Sequence, residues 1–423
     1  MKILHLSTFD YAGAGIAAYR LHRHFLSVGF NSRMLVLDSR SKDQTVTKAP
    51  SSLFQKQIVR NINRIWFKLR TDQSYFFQND LLAPIKTNFL MDFLHGFKPE
   101  IIIAHHLTYF FTVRQLLELQ QITSAPIIWY LMDMSPFTGG CHHAWDCLGY
   151  TKICGKCPAF SSTVENDFSR HVLKNKLDMI KNINLTVVAA SSLLYNQASQ
   201  AAIFNGKRIE KIMLAVDPTF FQPGSKQNMR QKLGLPIDKK IIFFGAQKAS
   251  VRRKGMLYLI EALNNLAHSS SSLSNRIHFA VAGDFKEIEP VLNSLFPFTL
   301  LGYLQGDEML ASAYVASDFF VCPSIEDSGP MMINESIMCG TPVVSFDMGV
   351  APDLVHSGKT GYRAELKNST DLARGIQHLI DLPPEEAKGM SEACSRLGLR
   401  LCHPTVQVES FKNLFNSLLC TSS

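Results

Sequence analysis

No stretch of the 423-residue chain approaches the apolar run of a membrane-spanning helix, which needs roughly 18 residues. The opening, MKILHLSTFD, has one lysine and, up to Leu6, four apolar residues broken by His5. A secretory signal carries an apolar core of ~7–15 residues, so this opening reads as a first strand. The two lacks together give the expectation of a cytoplasmic protein, peripheral at the inner face of the plasma membrane. Charge is sparse: 18% of residues are charged against 46% hydrophobic. That balance excludes long disorder and suits a globular protein. No Asp-x-Asp pair is present to hold a catalytic metal. A nicotinamide-binding fold needs Gly-x-Gly-x-x-Gly after a strand and an acid ~20 residues later, and FFGAQKAS at 243–250 fails that pattern.

What is present is a repeating rhythm. Apolar runs at 2–7, 32–38, 100–106 and 125–133 read as strands, 15–29 as a helix, and 185–199 as a strand-to-helix passage. The second half repeats this, with strands at 239–247, 276–284, 298–304, 318–324 and 341–347, and helices at 255–268 and 333–340. Runs this apolar fit parallel strands covered by helices on both faces. The length predicts two or three domains. Pro, Gly and polar residues at 215–228 mark a boundary, giving domains at 1–215 and 216–400 and a last helix within 401–423 returning to the first. The net charge of +8 favours anionic partners.

Two stretches carry chemistry. In GAQKASVRRKG (245–255) a strand ends, Arg252, Arg253 and Lys254 follow, and a helix opens after Gly255. Cations where a parallel strand meets a helix N-terminus suit a diphosphate, although a solvated basic turn has the same composition. In PSIEDSGPMMINESIMCGTPVV (323–344) three carboxylates, Glu326, Asp327 and Glu335, interrupt an apolar run. Helix-dipole preference accounts for one acid near a helix start, not for three. Glu335 is placed to clamp a ribose, and Gly329 with Pro330 and Met331 to offer backbone contacts to a nucleotide ligand. Gly13 and Gly15 precede a helix, where bare amides approach a phosphate or an acceptor. His105 and His106 end a strand, and His105 is taken as a polar contact.

The second stretch resembles the signature of family-four retaining glycosyltransferases of GT-B fold: two acids separated by seven residues, a helix, then Gly-x-Pro-Val-Val. Asp327 and Glu335 keep that spacing, with Glu326 one step earlier than the usual glutamate. The resemblance implies an α/β, GT-B architecture of two Rossmann-like doubly wound domains facing across a cleft. It implies a nucleotide-diphosphate sugar donor, retention at the anomeric carbon and catalysis without a metal cofactor. In those terms Arg253 and Lys254 hold the diphosphate, Glu335 the ribose, Asp327 or Glu326 the sugar, and the Gly13–Gly15 loop faces the donor. The acceptor is then a glycan or lipid-linked molecule, with surface polysaccharide or lipopolysaccharide synthesis as the setting. Many relatives read Trp-Thr-Leu-His-Asp where this chain has WYLMD, so their histidine corresponds to Met132. Alternatives left open are a nucleotide-sugar epimerase of similar fold and a catalytically weak, membrane-associated binding protein.

Two further features stand apart. Cys141, Cys147, Cys154 and Cys157, within an insert at 139–160, have the C-x5-C-x6-C-x2-C spacing of a structural zinc site. His142 or His143 substitutes for one thiolate in a variant of that reading, and two disulfides or four free thiols compete with it. A subgroup of the resembled transferases carries a similar insert. Lys56, Arg60, Arg64 and Lys68 form a basic stripe on a helix over 51–70 beside Ile58, Ile62, Ile65 and Trp66. That pattern suits an anionic membrane surface or an ordinary surface helix. Nothing else supports nucleic acid.

Overall fold

A computed structural model of the chain describes residues 1–50, 87–269, 272–286 and 289–420, with scattered positions between 57 and 75. Most of the basic stretch at 51–70, Lys56 and Arg60 included, lies outside the described residues. The chain divides into two compact units, 1–213 with 407–423, and 214–406.

The first unit is built on seven strands: β1 (Lys2–Phe9), β2 (Asn31–Asp38), β3 (Val46–Lys48), β4 (Ile101–Ala104), β5 (Ile127–Leu131), β6 (Leu185–Ala189) and β7 (Arg208–Lys211). They lie in the order β3-β2-β1-β4-β5-β6-β7, and every pairing is parallel. Ile101, Ile102, Ile103 and Ala104 are all fully buried, because helices cover both faces of a parallel sheet and leave no side of a central strand for water. Helix starts are set by side chains. Thr112 and Gln115 form a reciprocal capping box at Val113–Thr123, and Asp167 accepts from Arg170 N at the start of Phe168–Ile180. Each satisfies backbone donors that a helix start otherwise leaves unpaired. The last helix, Pro404–Cys420, brings Phe411 and Phe415 to within 5.7 and 5.6 Å of Phe25, edge to face.

The second unit holds β8 (Lys240–Lys248), β9 (Ile277–Asp284), β10 (Phe298–Gly302), β11 (Phe319–Cys322), β12 (Val343–Phe346) and β13 (Gly361–Ala364). Their order is β10-β9-β8-β11-β12-β13, again all parallel. An aromatic cluster packs its centre: Tyr314 meets Phe243 at 5.2 Å and Phe320 at 5.4 Å, both edge to face.

Both sheets therefore reverse strand order in the middle, between β1 and β4 and between β8 and β11. Ligands of open α/β sheets sit outside the carboxyl ends of the strands at such reversals. The histidines after β4, the cations after β8 and the carboxylates after β11 all fall there. Among the described residues no helix is long and apolar enough to cross a membrane.

Candidate functional site

The loop after β8 ends in a single 3-10 turn, Arg252–Lys254. Gly255 then takes a φ of +67°, and a Cβ there would run into the Pro323 carbonyl oxygen. Only glycine lets the two loops approach this closely. They are also joined by backbone, since Ile325 N donates to Arg253 O at 2.9 Å. The result is a charge cluster. Arg253 Nη1 and Lys254 Nζ each lie 2.8 Å from Asp327 Oδ2. Their side chains keep 32%, 24% and 13% exposure respectively, so the group opens to solvent on its cationic side. Asp327 Oδ1 accepts from Gly329 N at 3.3 Å, which folds the loop back before the helix Met331–Met338 begins with Pro330 at its N-cap.

Glu335 lies in the second turn of that helix rather than the first. It is 3% exposed and accepts from Tyr314 Oη at 3.4 Å. Burial, then the nearby Glu335 charge, pushes the Tyr314 phenol well above its ordinary range, so Tyr314 stays a donor. Glu326 is also buried, leaving Asp327 as the acid joined to both cations.

In the first unit the expected residues separate. Gly13 and Gly15 fall inside the helix Ala12–Ser27, not before it. Gly13 faces open space, but a Cβ on Gly15 would stand 2.6 Å from Phe9 O, so Gly15 is needed for packing on the end of β1. His105 turns into the core: it is 1% exposed, and its Nε2 lies 2.9 Å from His5 Nδ1. Burial, then the His22 charge, lowers its pKa to about 3. The ring of His105 is thus inward-facing and neutral, while the residue still borders the pocket described below. His106 points the other way, with Nε2 3.9 Å from Asp133 Oδ2. His142 Nδ1 lies 2.6 Å from the same oxygen. Burial raises the Asp133 pKa, but the charge and hydrogen bond of His142, with His106 behind, hold it far below the usual range.

His105, His106 and Asp133 border a small pocket that Met132, Ser135 and Lys176 also line. Sequence reasoning missed this assembly. Asp133 was visible in WYLMD, but His142 was read only as a substitute for a thiolate.

The zinc reading of the four cysteines stays a proposal: Cys157, Cys154 and Cys147 all act on the Cys141 thiol. Four thiolates around one zinc, each at about 2.3 Å, stand roughly 3.8 Å from one another. Among the described residues, the one set of three or more His, Cys, Asp or Glu ligand atoms within 4.8 Å of each other is His106, Asp133 and His142. All nine cysteines are free thiols, so the disulfide alternative falls. Cys141 and Cys157 join Tyr75 and Ala159 in a small apolar cluster. The hydrogen bond to Cys157, then burial, raises the Cys141 thiol well above its ordinary pKa, and the same hydrogen bond lowers that of Cys157.

The geometry after β8 and β11 falls within the part of the chain that matches known proteins. Residues 238–381 match the family described as glycosyl transferases group 1. That span lies within the second unit. The chain is 29% identical over 215 residues to a D-inositol 3-phosphate glycosyltransferase of Catenulispora acidiphila, covering 47% of this chain and 50% of that protein. It is 28% identical over 188 residues to the enzyme of that name from Mycolicibacterium smegmatis, covering 42% and 41%. The chain thus spans about half the length of the relatives it matches. In fold it is similar to sucrose-phosphate synthase from Thermosynechococcus elongatus, with a TM-score of 0.70, 14% identity and 99% of both chains covered. Anabaena HepE in complex with UDP-glucose gives a TM-score of 0.66 at 15% identity, over 99% of this chain and 100% of that one. The two Rossmann-like sheets are those of a GT-B fold.

Proposed function

We propose that the protein is a retaining glycosyltransferase of the hexosyltransferase class, moving a sugar from a nucleotide-diphosphate sugar to a glycan or lipid-linked acceptor. The observation that carries this reading is the shared Asp327 oxygen, 2.8 Å from both Arg253 and Lys254 at the strand-order reversal of the second sheet. Two cations held ready by one carboxylate are a preformed receptor for a diphosphate, whose oxygens take over the charge pairing on binding. In the reaction the same cations offset the negative charge that builds on the departing nucleoside diphosphate. Such fixed charges act most strongly where water is excluded. They do this without a metal ion.

Glu335 accepts ribose hydroxyls in this reading, with Tyr314 fixing its orientation. Asp327, with Glu326 beside it, orients the transferred sugar. The family match over 238–381 supports a sugar-nucleotide donor, as does the UDP-glucose held by a protein of the same fold. A place in surface polysaccharide synthesis at the cytoplasmic face of the membrane belongs to the same proposal.

One observation favours a second reading. Met132 lines the first-unit pocket where resembled enzymes carry a histidine, and a thioether neither donates nor takes a proton. A weak catalyst that mainly binds sugar nucleotide has this feature.

The deciding experiment incubates the purified protein with labelled nucleotide sugars and lipid-linked or glycan acceptors, and identifies products by mass spectrometry. Acceptor-dependent transfer, lost in Glu335→Ala, upholds the proposal. Donor conversion without any acceptor points to an epimerase. Saturable binding without turnover points to the binding protein.

A further inference from the structure

We propose that His106, Asp133 and His142 form a divalent transition-metal site in the first unit, with an open coordination position facing the pocket beside Met132. The inference is independent of the transferase reading, in which the diphosphate is held by cations of the second unit.

The donor set is two imidazoles and one carboxylate, which suits zinc and its first-row neighbours and lacks sulfur. An ion bonded at about 2.0–2.2 Å to each of three ligands sets them roughly 3–3.5 Å apart. The two nitrogens stand 3.9 and 2.6 Å from Asp133 Oδ2, and the three ligand atoms all lie within 4.8 Å of one another. Those separations straddle the required value, so a shift of under about 1 Å places an ion between them. The side chains are 14%, 12% and 4% exposed, which keeps bulk water from competing.

The outer contacts match those of a metal ligand. Asp133 Oδ1 accepts from Ser135 N at 2.8 Å and from Ser135 Oγ at 2.7 Å, leaving Oδ2 for the ion and fixing its direction. His142 sits on a loop pinned to the strand end, since its carbonyl accepts from Met134 N at 3.1 Å. The ion would then clip this loop to the ends of β4 and β5.

Three protein ligands leave a fourth position, and His106 and Asp133 both border the pocket. Lys176 lines the same space, its Nζ donating to Ser135 O at 2.7 Å. A buried ammonium there repels a second cation but favours an anionic oxygen on the metal. The ligand class for the open position is therefore water or an oxyanion such as a carboxylate or phosphate.

The test is a titration of chelator-treated full-length protein with zinc(II) or cobalt(II) alone, read by equilibrium dialysis and by cobalt absorption. We expect about one equivalent bound. The cobalt spectrum should lack the near-ultraviolet charge-transfer band of thiolate ligands, a readout that needs no variant. His142→Ala and Asp133→Asn should weaken binding at least tenfold, and Cys141→Ser should leave it unchanged. Absence of binding at micromolar metal overturns the proposal. So does a strong thiolate band, or binding lost in Cys141→Ser and kept in His142→Ala.

Discussion

Asp327 Oδ2 lies 2.8 Å from Lys254 Nζ, and this pair ties the carboxylate loop after β11 to the cationic loop after β8. Arg253 approaches the same oxygen, so one acid balances two cations in the ligand-free protein. The Asp327→Asn variant leaves those cations facing each other. Its melting temperature should fall by several degrees, and a saturating nucleoside diphosphate should restore more of the loss than it adds to the parent protein. Differential scanning fluorimetry with and without the nucleotide checks this. Equal shifts in both proteins would mean the diphosphate does not meet these cations.

Gly255 is the position where the two loops touch. A left-handed φ costs a non-glycine residue roughly 1–2 kcal/mol, and here the Pro323 carbonyl blocks the new atom as well. Gly255→Ala should therefore lower stability by more than that figure and abolish nucleotide binding together with it. Gly13→Ala, facing open space, should do neither. Urea denaturation with parallel binding measurements separates the two outcomes.

Acid should destabilise the first unit before its carboxylates titrate. His5, His22 and His105 are fully or almost fully buried. Burial first, and neighbouring charges second, lowers the pKa of His105 to about 3 and that of His5 well below its ordinary value. Burial lowers His22 to about 4, with Asp43 opposing. Unfolded histidines titrate near ~6.5, so below that pH the unfolded chain binds more protons than the folded one. Stability is thus full above about pH 6.5 and declines as pH falls toward 4, by up to ~1.4 kcal/mol per pH unit for each histidine. Urea midpoints at pH 7, 6 and 5 should fall in turn, and His22→Gln should flatten the slope. A constant midpoint across this range would show that these rings protonate without cost.

Met132 gives a prediction in the opposite direction. If a proton donor is what the pocket lacks, Met132→His should raise the transfer rate at least tenfold while leaving nucleotide affinity unchanged. A positioned general acid or base contributes about 10²–10⁴-fold. Steady-state rates and binding constants measured side by side check the separation. A variant no faster than the parent would show that turnover is not limited there.

The central strands were legible because buried parallel strands are apolar on both faces, as the runs at 101–104 and 127–131 show. The edges were not. β3 and β7 are three and four residues long, with exposed and half-buried positions, so they carry no apolar run to detect. At the site, a strand end and a helix start bound each loop and drew attention to its cations and carboxylates, while the resemblance singled out Arg253, Lys254 and Asp327 or Glu326 among them. His105 and His106 illustrate the limit. Adjacent residues at a strand end point to opposite faces, and nothing local says which face is the core. The cysteine quartet shows a related limit, since spacing says that four sulfurs can reach one ion but not whether they hold one. His142 comes from the same loop and meets Asp133 only through the fold of 134–141, which no periodicity encodes.

The most direct check of the account is calorimetric titration with UDP, GDP and ADP of the parent protein, Arg253→Ala and Lys254→Ala. Losing one charged hydrogen bond to a phosphate costs about 1.5–3 kcal/mol. One nucleotide should therefore bind the parent saturably and each variant at least tenfold more weakly. Binding of equal strength in all three proteins would contradict the claim that these two cations receive the diphosphate.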